Sequence, residues 1–101
     1  MPNTHPEDHD LAGRAWAQLL VLRANPYSQA LPALTTLANE ISITAAPAFS
    51  SDDKIRNARS GAWLAVCALA QQIEKDPKAD GIEQLWLNAN DAVKIWERQA
   101  E

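Results

Sequence analysis

A chain of 101 residues that is 47% apolar and 22% charged has enough apolar mass to offset the entropy of ordering, and too little charge to stay disordered. Surface scaling allows one core and no second, with ~65% of the unfolded chain's surface buried, so a single domain over 1–101 is expected. One cysteine excludes a disulfide scaffold, three glycines and six prolines exclude collagen or a linker, and a net charge of −4 disfavours nucleic acid and anionic lipid unless the bases cluster.

The stretch from Met1 to Asp8 is polar and acidic, without the basic-then-apolar order of a signal peptide. Ala62 to Ala70, the longest apolar run, is nine residues, about half of what a bilayer requires. Together with the unpaired Cys67, this points to a soluble protein of the reducing cytoplasm with no membrane partner.

Four helices are predicted, over 5–24, 30–44, 52–75 and 81–99. Thr4-His5-Pro6-Glu7 is a start signal: Thr4 and Glu7 can satisfy free amides reciprocally, and Pro6 falls in a first turn that needs no donor. Leu11, Ala12, Ala15, Trp16, Leu19, Leu20 and Leu22 then fill half the circumference, and Asn25-Pro26 stops the helix. In the second helix Leu31, Leu34, Leu37, Ala38 and Ile41 share a face. Glu40 to Thr44 also alternates like a short strand, but nothing else in the chain is available to pair with it.

Ser50-Ser51-Asp52-Asp53 opens the third helix, whose stripe is Ile55, Ala58, Ala62, Ala65, Val66, Leu69 and Ile73; Lys75-Asp76-Pro77 ends it. Asp80-Gly81-Ile82-Glu83 reads as a reciprocal cap for the fourth, with Ile82, Leu85, Trp86, Ala89, Ala92, Val93 and Trp96 on one face. The expected fold is therefore all-α: a compact four-helix bundle built from two helical hairpins. Ala15-Trp16 recurs as Ala62-Trp63, but the likeness fades after Leu22 and Leu69, so an internal repeat is not supported.

Reactive equipment is sparse. His5 and His9 have a spacing that can share a metal, yet no third ligand accompanies them, and the turn reads as a solvated, frayed, acidic helix start. Cys67 lies in the most apolar part of the chain with no base nearer in sequence than Arg59, which suits packing better than catalysis. No phosphate-binding glycine loop, nucleophile set or paired carboxylates appear, so neither an enzyme nor a cofactor or metal is expected. No stretch carries the motif of a known family.

Two surfaces remain. Lys54, Arg56 and Arg59 form the densest basic stretch, at the start of a helix and against its dipole. They form the candidate nucleic-acid contact, although Asp52 and Asp53 precede them and Arg59 falls near the core stripe. The second surface is apolar. Trp16, Trp86 and Trp96 fall on core arcs and Trp63 at the edge of one, while Leu64, Leu87 and Ile95 point away from the core. Trp63, Leu64, Leu87 and Ile95, rimmed by Lys94, Arg98, Asp91 and Glu97, are the expected contact for another protein or a second copy of this chain. The expected function is a non-enzymatic interaction module: an adaptor, an antitoxin-like partner, or a stoichiometric inhibitor or regulator of a larger assembly. A nucleic-acid-binding regulator is the alternative.

Overall fold

The computed structural model describes residues 6–24, 31–42 and 52–100. Four helices make up the described chain: α1 (Pro6–Arg23), α2 (Leu31–Ser42), α3 (Asp53–Lys75) and α4 (Ile82–Gln99). Each bound lies within two residues of the sequence expectation, and no strand occurs among the described residues. Thr4 and His5, residues 43 and 44 of the strand-like run, and Ser50 and Ser51 lie outside them.

The helix ends follow from local chemistry. Asp52 caps α3 by accepting from the Lys54 amide at 3.0 Å, which satisfies a donor that the helix leaves free. At the other end Asp76 is extended (φ −160°, ψ 100°), as a residue before proline must be, and its carboxylate accepts from the Lys78 amide at 3.0 Å to close the turn. The start of α4 differs from the expected reciprocal cap. Gly81 occupies the cap position in a helical conformation with no side-chain cap. Asp80 is one residue too early to cap, and the turn is closed by backbone bonds from Ile82 to Ala79 (3.3 Å) and from Leu85 to Gly81 (3.1 Å). In α2, Thr35 and Thr36 donate to the carbonyls of Leu31 and Pro32 at 2.9 and 3.0 Å, which lets two β-branched polar residues sit inside a helix.

The apolar stripes meet in one core. α3 packs on α4 through the short link between them and on α2 along another flank, while α1 packs on α4. α1 therefore leans more closely on the last helix than on α2, its neighbour in sequence. Between α1 and α2 lies an open groove of about 490 Å³ lined by Arg14, Ala17, Val21, Ala33, Leu37 and Glu40, spanned by a 3.5 Å Arg14–Glu40 pair.

The stripe of α1 is narrower than the sequence suggests. Leu11, Ala12, Ala15, Leu19 and Leu22 are buried, whereas Leu20 and Val21 are exposed and Trp16 is only half-buried. Only the sector aimed at the bundle axis is covered, because α4 flanks α1 closely and α2 does not.

Candidate functional site

α1 and α4 run antiparallel in a register fixed by named bonds. The Trp86 indole donates to the Leu19 carbonyl oxygen at 2.8 Å, Arg23 pairs with Glu83 and stacks 4.5 Å from the Trp86 ring, and Trp96 donates to Asp8 at 2.9 Å. Trp86 and Trp96 are thus buried with their polar edges satisfied, as indoles in a core require.

The innermost polar group is Asp8, which is 1% exposed. Its Oδ1 accepts from Arg59 at 2.7 Å and from the Trp96 indole, joining α1, α3 and α4 at one atom. This corrects the expectation of a solvated acidic helix start at Asp8, while Glu7 and Asp10 are exposed as expected. The signal was present in the sequence: Asp8 falls inside the apolar arc of α1, at about 60° from Leu11 on a 100° wheel. Arg59 falls beside the stripe of α3, and a buried charge needs a partner.

That pairing also takes apart the candidate nucleic-acid contact. The Arg59 side chain is turned inward onto Asp8, and Arg56 is held by Asp53 at 2.7 Å. Lys54 is exposed at the helix start. The three cations do not share an outward face, because the deepest of them neutralises a buried carboxylate.

The apolar candidates are on the outside. Leu64 is 60% exposed, Ile95 52% and Leu87 36%, and Trp63 is half-buried against the core. They do not all lie together: Ile95 stands eight residues from Leu87 along α4, about 12 Å at 1.5 Å per residue. Leu64 stands on α3 and Ile95 on α4, the two helices joined by the short link. The bonds from Trp86 to Leu19 and from Trp96 to Asp8 set Leu87 within about one turn of Leu20, which is also exposed although the periodicity of α1 assigns it to the core.

Lys94 and Arg98 gather on the α1 side, around Trp16 rather than Trp63. Together with Glu97 they line a cleft of about 310 Å³, and the Lys94 ammonium lies 5.2 Å from the centre of the Trp16 ring. The Trp16 indole nitrogen is buried without a hydrogen-bond partner among the described residues, and so is Oδ1 of Asn90, at the same level across the α1–α4 seam. Gly13 borders the cleft: a Cβ there would stand 3.1 Å from Oε2 of Glu97.

No group of three metal-ligating side chains occurs among the described residues, where His9 is half-exposed. Burial pushes the Cys67 thiol above its ordinary pKa, opposite to what a nucleophile needs. None of the described helices is long and apolar enough to cross a membrane. Comparison with protein-family models, curated proteins and solved structures finds no match.

Proposed function

We propose that this chain is a small non-enzymatic interaction module of the cytoplasm, an adaptor or a stoichiometric regulator, that works by presenting a rigid helical surface. One observation carries the reading. The core-facing positions of all four helices are taken by buried or partly buried side chains, yet Leu64, Leu87 and Ile95 stand exposed on α3 and α4. Single exposed leucines are ordinary, but the helix pair that forms the tightest part of the bundle is where a partner finds the least conformational entropy to remove.

Affinity purification from the native host and mass measurement in solution test this together. The wild-type chain is expected to show a specific partner or a defined oligomer. The variant carrying Leu64→Asp, Leu87→Asp and Ile95→Asp should lose it while keeping its helical circular dichroism. If the triple variant retains every partner and the same mass, the reading is wrong.

A further inference from the structure

We infer that the cleft between α1 and α4 is a docking site for an acidic amphipathic helix of a partner protein; it adjoins the surface proposed above only through Leu87 and rests on the interaction-module reading. Among the described residues Arg14, Arg23, Arg56 and Arg59 each have a carboxylate partner, and Arg98 has none. Lys94 also lacks a carboxylate and instead covers the Trp16 ring. Glu97 lines the same cleft and pairs with neither cation. The lining thus carries two cations and one carboxylate with no ion pair between them, a net positive cleft beside an aromatic face in a protein whose net charge is negative. Such a site selects a carboxylate that brings apolar surface with it.

The rest of the seam sets the spacing. Leu87 lies N-terminal along α4 from Lys94 and Arg98, with Leu20 within about one turn of it by the register of α1 on α4. At 1.5 Å per residue these cations are roughly 10 and 16 Å from Leu87 along the axis. A helix lying in the seam meets them with one large apolar side chain and with carboxylates about two and three turns further along its length.

The probe is a synthetic 18-residue helical peptide with leucine in its first turn and glutamates seven and eleven residues later, titrated into the full chain labelled with ¹⁵N. Lysine-for-glutamate peptide serves as the control. The expected result is a shift of the Trp16 indole N–H resonance that saturates, is absent with the control peptide, and weakens at least tenfold in Lys94→Glu/Arg98→Glu. No saturable shift at millimolar peptide, or binding that the double charge reversal leaves intact, overturns the proposal. A partner or dimer that is lost in the Leu64/Leu87/Ile95 variant yet retained by the charge-reversal protein would also overturn the acidic occupant, while leaving the interaction module standing.

Discussion

Asp8 and Arg59 meet at 2.7 Å across 51 residues of sequence, one almost wholly buried and the other nearly so. Neither charge is tolerable alone at that depth, so each depends on the other for its place in the fold. Asp8→Asn and Arg59→Met should each cost about 3–5 kcal/mol in urea unfolding, because each strands the remaining partner. Asp8→Asn combined with Arg59→Met should cost much less than the two single losses added. An additive result would show that the pair is not coupled.

The tryptophans separate into satisfied and unsatisfied indoles. Trp86→Phe removes a 2.8 Å bond to the Leu19 carbonyl oxygen and the ring under Arg23, and should cost roughly 1–3 kcal/mol. Trp16→Phe removes a buried donor with no partner among the described residues, and should be near neutral. Equal losses in thermal unfolding would contradict this account.

Gly61 is exposed in the middle of α3 with open space where a Cβ would stand, so Gly61→Ala should stabilise by about 0.5–1 kcal/mol. That corresponds to a Tm rise of roughly 2–8 °C for a domain of this size. Gly13→Ala should gain less, because Glu97 must first swing its carboxylate away.

Leu64 and Leu69 lie five residues apart on one helix and should behave oppositely. Leu69→Ala opens a cavity at a fully buried position and should cost about 2–5 kcal/mol, whereas Leu64→Ala should stay within about 0.5 kcal/mol of wild type. Chemical denaturation of the two variants checks the contrast.

Cys67 has its thiol pKa raised by burial, so the folded chain holds that proton more tightly than the unfolded one. The contribution to stability is complete below the unfolded thiol's pKa of about 8.5 and is lost as pH climbs toward the folded value. Alkylation by iodoacetamide at pH 8 should accordingly be slower in the native chain than in urea. An equal rate would show a solvated thiol.

The expected bundle follows from periodicity alone, since prolines, caps and stripes are local properties that a helix carries wherever it packs. The outward positions of Leu64, Leu87 and Ile95 were legible for the same reason: each sits on the far side of its own helix from an apolar stripe. What the chain could not disclose by itself was which helices become neighbours. Only packing decided that α1 lies against α4, which left Leu20 in solvent and brought Lys94 and Arg98 to Trp16. The same docking buried Asp8 on Arg59 and withdrew that arginine from the surface. The physical reason is that one helix's wheel gives directions but no distances, and a charge is buried or free according to what stands opposite it.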